Sequence, residues 1–173
     1  MLEILKYPDP FLKTTAEPVE EVDDDVRRLI DDMAETMYHA RGVGLAAVQV
    51  GVARRVIILD VPTDSEEPGR GRSLVALVNP EVRSAEGRTK YEEGCLSIPG
   101  VTADVIRAER VVVGALDRDG REVEIEAGGL LAIALQHEID HLDGILFIDR
   151  LSRLKRDLIK RKLKKALAQE TAL

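Results

Sequence analysis

The 173-residue chain has no tryptophan, a single cysteine and three histidines, and only 3% of it is aromatic. Without large rings, a core must be built from Val, Leu, Ile and Ala; the 45% hydrophobic content suffices for one full-sized domain. A lone cysteine excludes an internal disulfide and suits a reducing compartment, where a free thiolate can hold metal. No stretch approaches the ~18 apolar residues of a membrane span. Met1–Pro8 lacks the sustained apolar run after a basic start that marks a signal peptide. A cytoplasmic protein with no membrane partner is therefore expected.

Basic residues are scarce in most of the chain. The net charge is −7, yet Leu151–Leu173 carries eight Lys/Arg against Asp157 and Glu170, a local +6. The first 150 residues hold 17 basic and 30 acidic side chains, or −13. An acidic body with a basic tail is not a general nucleic-acid binder, although the tail could dock on something anionic.

Against this scarcity, two of the three histidines fall in one pentapeptide, His137-Glu138-Ile139-Asp140-His141. Residues four apart on a helix lie on one face, roughly 6 Å apart along the axis, so two imidazoles can close on one metal ion. Glu138 then stands beside them to handle a proton from water. The preceding Leu130–Gln136 reads as a buried helix, and such a helix seldom carries two histidines and two carboxylates unless they are paired or bound.

A catalytic site needs a third ligand and an open position. A metalloprotease continuing His-x-x-Gly-x-x-His would need histidine at 147, but Phe147 stands there; a glutamate ligand would have to be Glu170. The remaining soft donor is Cys95, in Glu93-Gly94-Cys95-Leu96-Ser97-Ile98-Pro99-Gly100, whose glycines and proline allow irregular backbone near a metal. A His2Cys site of Cys95, His137 and His141 is the better account. Asp140 reads equally well as a partner that orients a ligand or as a helix-surface salt bridge. His39 reads as a helix-end residue.

Three segments, Gly42-Val43-Gly44-Leu45-Ala46-Ala47-Val48-Gln49, Glu93-Gly94-Cys95-Leu96-Ser97 and Gln136–Gly144, resemble in order and spacing the signature motifs of the peptide deformylases. The resemblance runs from Tyr7-Pro8-Asp9-Pro10 to the C-terminal helix. It implies removal of the formyl group from the N-terminal formyl-methionine of newly made polypeptides. Hydroxide formed at the metal would attack the formyl carbonyl, with Glu138 as general acid and base. Gln49 and the Leu96 backbone N–H would steady the oxyanion. Val43, Gly44 and Tyr91 are implied around the methionine pocket, to which the helical spacing of Leu130, Ile133, Ala134 and His137 adds an apolar wall. There are departures: Thr102 stands where an arginine is frequent, Ile106-Arg107 where Pro-Arg is, and Val48 where proline is.

One divalent ion is expected. His2Cys suits Zn2+ geometrically, and ligand softness also admits Ni2+, Co2+ and iron; the resemblance favours Fe2+. The rival readings are a zinc endopeptidase, and a structural metal module whose basic helix binds the ribosome. The same helix could hold the enzyme at the ribosome, where its nascent substrates appear. A monomer is expected.

Hydrophobic periodicity predicts a helix over about residues 22–41 with Val26, Ile30, Met33 and Met37 on its inner face. It predicts strands at Arg54–Asp60 and Leu74–Asn79, separated by a polar loop over Pro62–Arg72. Arg118-Asp119-Gly120 signals a hairpin between Arg110–Asp117 and Arg121–Glu126. The motif helix should run from Gly128 to Gly144, and Ser152 should cap a last helix with a stripe of Leu154, Leu158, Leu163 and Leu167. These elements indicate a single α+β catalytic domain, residues 1–173, with antiparallel sheets around a central metal-binding helix and a basic C-terminal helix over 151–173.

Overall fold

The computed structural model describes residues 1–62 and 73–171. The expected polar loop lies, from Thr63 onward, outside the described residues. The architecture is α+β, with every strand pair antiparallel.

Helix α1 (Asp24–His39) begins where predicted, because the Asp23 carboxylate accepts the Val26 N–H at 3.0 Å. Its expected inner face, Val26, Ile30, Met33 and Met37, is buried. Five strands form the main sheet: β1 (Gly44–Ala46), β2 (Val56–Leu59), β3 (Val75–Glu86), β6 (Arg110–Leu116) and β7 (Glu122–Gly128), in the order β1-β2-β3-β6-β7. All four residues of β2 are buried because the strand is covered on both faces. Val56 and Ile58 pack with α1, whereas Ile57 and Leu59 pack with Ala132, Leu135, Ile139 and Leu142 of helix α2 (Gly129–Leu142). The motif helix is thus the inner layer, with ten of its 14 residues buried. It stops as expected: Gly144 has φ of 73°, and a Cβ there would lie 2.4 Å from the Lys13 carbonyl oxygen. Glycine alone fits that turn.

Three features depart from the sequence reading, the first being that β3 runs past the expected Asn79 to Glu86. Thr89–Cys95 (β4) and Ile98–Arg107 (β5), not foreseen as strands, form a separate two-stranded sheet joined by Leu96-Ser97. The irregular backbone expected around Cys95 shows as a register shift between Glu93 and Cys95 and a positive φ of 77° at Gly100. In the last helix, α3 (Arg153–Thr171), the four leucines do not form one stripe. At 100° per residue Leu154 and Leu158 oppose Leu163. Accordingly Leu163 and Ile159 pack against Phe147 and its neighbours, while Leu154 and Leu158 are exposed. The Ser152 cap is present, its hydroxyl accepting the Lys155 N–H at 3.3 Å.

The N-terminal segment straps these layers together. Leu5 N–H donates to Gln49 O at 2.7 Å, Tyr7 N–H to Ser97 O at 2.8 Å, and Ala16 N–H to Leu142 O at 2.8 Å. Each bond ties the segment to one of the three motif regions. Among the described residues, no helix is long and apolar enough to cross a membrane.

Candidate metal centre

Two elements bring the three predicted ligands together. Cys95 ends β4, and His137 and His141 stand one turn apart on α2. Cys95 Sγ lies 3.4 Å from His141 Nε2, which lies 3.2 Å from His137 Nε2, and the three atoms are all within 4.8 Å of one another. A tetrahedral ion at about 2.0–2.3 Å from each would need ligand atoms roughly 3.3–3.8 Å apart. The donor set therefore fits one ion in both chemistry and spacing.

The surroundings favour positive charge at this point. Burial disfavours the His137 cation, yet hydrogen bonds with Cys95 and Glu93 and the charge of Glu138 outweigh it and raise its pKa to about 10. Burial, and then the positive charge of His137, hold His141 well below the usual imidazole range. The cluster thus accommodates one cation and leaves its second imidazole neutral.

Behind the ligands lies a buried ionic network that the sequence reading missed. Glu93 Oε1 is 2.8 Å from His137 Nδ1. Arg107 clamps the same carboxylate through Nε at 2.8 Å and Nη2 at 2.9 Å, and donates from Nη1 to Asp140 at 2.6 Å. Arg150 closes the network with two hydrogen bonds to Asp140 at 2.7 and 3.0 Å. Burial would raise the Glu93 pKa, but Arg107 and His137 hold it below the usual carboxylate range. The carboxylate placed to orient a candidate ligand is therefore Glu93, beside His137. Asp140 bonds Arg107 and Arg150 instead, and it is buried rather than part of a helix-surface pair. One signal could have exposed Arg107: Asp140 sits in a buried helix and demands a cation nearby.

Glu138 is 5% exposed, and its Oε2 has no hydrogen-bond partner among the described residues. Burial pushes its carboxyl up to about 7. The group fits only because position 44 is glycine: a Cβ there would lie 2.8 Å from Glu138 Oε1. Gln49 is likewise buried. Its Oε1 accepts the Ala46 N–H at 2.9 Å, which turns Nε2 toward Ser97 Oγ at 3.1 Å and Cys95 Sγ at 3.5 Å. The side-chain donor is thereby aimed at the ligand cluster.

A cavity of about 500 Å³ opens onto these groups. Val43, Gly44, Tyr91, Leu130, Ile133 and Ala134, the residues expected around a methionine pocket, all line it, together with Gln49, Cys95, Leu96, His137 and Glu138. His141 is fully buried behind them. Phe147, at the place of a metalloprotease's third histidine, stacks on His137 with ring centroids 6.2 Å apart. Glu170 lies on the exposed end of α3. His39 is the last residue of α1, as expected.

The model of the polypeptide deformylase family matches residues 1–157. The chain belongs to that family. A peptide deformylase of Thermodesulfovibrio yellowstonii is 57% identical over 164 residues, covering 95% of this chain and 97% of the relative. Among solved structures, that of a peptide deformylase from Legionella pneumophila superposes with a TM-score of 0.87 at 48% identity, covering 99% and 98% of the two chains. The Ehrlichia chaffeensis enzyme in complex with actinonin superposes with a TM-score of 0.86 at 43% identity, covering 96% and 97%.

Proposed function

We propose that this chain is a metal-dependent peptide deformylase. It removes the formyl group from the N-terminal formyl-methionine of newly synthesised polypeptides, within one catalytic domain spanning residues 1–173. The observation that carries this reading is the convergence of Cys95, His137 and His141 beside Glu138 at the end of an apolar cavity.

A divalent ion held by Cys95, His137 and His141 would polarise the formyl carbonyl and bring the pKa of water down toward ~7. The remaining work falls to the chain. Glu138, with one oxygen free of partners among the described residues, takes the proton from the attacking water and passes it to the departing amine, leaving formate and a free N-terminus. Gln49 Nε2 and the Leu96 N–H donate to the carbonyl oxygen as it gains charge. Val43, Gly44, Tyr91, Leu130, Ile133 and Ala134 enclose the methionine side chain. Phe147 in place of a third histidine speaks against a zinc endopeptidase. A purely structural metal module would have no use for the unpartnered carboxylate of Glu138.

We assign Fe2+ to the site in the cell, with Zn2+, Ni2+ or Co2+ as chemically acceptable replacements, and place the protein in the cytoplasm as a monomer. Anaerobic purification followed by metal analysis and a formate-release assay on a formyl-methionyl peptide tests the reading. Absence of formate from the metal-loaded protein would overturn it. Cys95→Ser replaces a thiolate by a hard hydroxyl and is expected to lower metal retention or change the preferred metal; unchanged metal content and activity would remove Cys95 from the ligand set. Gln49→Leu is expected to lose roughly 10²–10³ in kcat, and a wild-type rate would exclude Gln49 from the mechanism.

The basic face of α3 gives the enzyme a partner as well as a substrate. Arg161, Lys162, Lys164 and Lys165 are exposed, and we assign this face to the anionic surface of the ribosome. Such contacts weaken as salt rises because phosphate neutralisation releases counterions. Charge reversal at Arg161, Lys162 and Lys165 is expected to reduce ribosome co-sedimentation at low salt; undiminished co-sedimentation would leave the face as solvated surface.

A further inference from the structure

The turn from α1 to β1 holds an arginine where the backbone favours glycine. Arg41 has φ of 60°. Its N–H bonds Tyr38 O at 3.1 Å, and the Gly42 N–H reaches back to Met37 O at 3.0 Å. This is the left-handed helix stop at which a Cβ is strained and glycine is usual. The residue that bears this strain is not tied down. Arg41 is exposed and, among the described residues, has no carboxylate at ion-pair distance.

Its position gives the unpaired charge a use. Arg41 lines the cavity that ends at the metal centre. Within the same lining Glu93, His137 and Glu138 are buried, and Thr102 brings no charge. The exposed charges are Arg41, beside β1, and Glu92, on β4. A peptide whose formyl-methionine fills the inner cavity must leave past this rim. A guanidinium presents a planar fork of donors that matches a carboxylate, so an acidic side chain is the partner it recognises best.

Resting on the deformylase reading, we propose that Arg41 is a specificity-determining residue: it takes the carboxylate of an acidic side chain at the second or third residue of the formyl-methionyl substrate. The preference acts on binding of the peptide portion and not on the reacting atoms, so it is carried by KM. Because the pair forms at an exposed rim, it is modest and screened by salt.

The test compares formate release by the metal-loaded enzyme from formyl-Met-Glu-Glu-amide, formyl-Met-Gln-Gln-amide and formyl-Met-Lys-Lys-amide, at low ionic strength and in 0.5 M salt. The expected result is a KM for the Glu peptide roughly fivefold below that for the Lys peptide, with similar kcat and a difference that shrinks in salt. Arg41→Gln keeps a side chain on the strained backbone and is expected to collapse the ratio; Arg41→Glu is expected to invert it. Arg41→Gly relieves the strain, so a merely conformational role would show as a raised Tm with the peptide ratio intact, and that result overturns the proposal. Equal KM values for the three peptides in the wild type, or a ratio retained in Arg41→Gln, also overturn it. Formate from none of the peptides would overturn the deformylase reading itself.

Discussion

Glu138→Ala is expected to keep its metal and its fold while losing about 10²–10⁴ in kcat, the range contributed by a positioned general acid–base group. The candidate ligand atoms of Cys95, His137 and His141 do not depend on this carboxylate, which lies 3.9 Å from His137 Nε2 and, among the described residues, leaves Oε2 without a partner. Burying a carboxyl in that condition works against stability. The variant should therefore melt above the wild type, a gain in stability at the expense of function. Metal analysis, thermal melting and formate release on one preparation provide the check. A variant that retains metal and turns over at the wild-type rate would remove Glu138 from the chemistry. One that loses its metal would mean the residue is structural.

The largest effect on stability is expected from Arg107→Met. The guanidinium is 3% exposed and is shared between Glu93 and Asp140, themselves 4% and 9% exposed. Its removal leaves the Glu93 carboxylate buried without its clamp, a loss of about 3–5 kcal/mol for a broken buried pair. Asp140 keeps Arg150, so the damage concentrates at Glu93 and passes to His137, whose Nδ1 it holds. Metal affinity should fall along with stability. Arg107→Lys should recover only part of the loss, because an ammonium cannot reproduce the two-pronged contact with Glu93. Urea unfolding of the metal-loaded protein measures the effect. A loss no greater than that of Arg150→Met, whose side chain is 46% exposed, would show that the network is not centred on Arg107.

The sequence revealed those parts of the fold with a strong apolar signal, periodic in α1 and nearly continuous in β2 and α2. Helix α1 announces itself through Asp23 and the spacing of Val26, Ile30, Met33 and Met37, and the β6–β7 hairpin through Asp117–Arg121. Strand β4 gives no such signal, whereas β5 carries a short alternation, Val101, Ala103 and Val105 against Thr102 and Asp104, that the sequence reading did not use. Along β4 only Glu93 is fully buried, so the strand shows no apolar alternation; its turn is Leu96-Ser97, without glycine or asparagine. The outer half of β3, Glu81–Glu86, is exposed throughout and looks like loop. At the site, the clustering of the candidate ligands Cys95, His137 and His141 beside Glu138 was legible because rare residue types stand at chemically required spacings. Arg107 was not, since an arginine in Ile106-Arg107-Ala108-Glu109-Arg110 resembles surface until the carboxylates it serves are located. The stripe assigned to α3 failed on geometry: leucines nine residues apart, as 154 and 163 are, face opposite ways on a helix.

The N-terminal strap bears on how the protein is made. Its backbone hydrogen bonds join residue 5 to 49, 7 to 97 and 16 to 142, so this segment meets its last partner only after residue 142 has been made. Loop-closure entropy must be overcome before such non-local contacts contribute anything, and chains of high contact order fold slowly. Until then the cluster cannot assemble, because His137 and His141 follow Cys95 by 42 and 46 residues. Loading of the centre belongs to the end of biogenesis, and metal present at that moment selects the native state over its unfolded competitors by mass action.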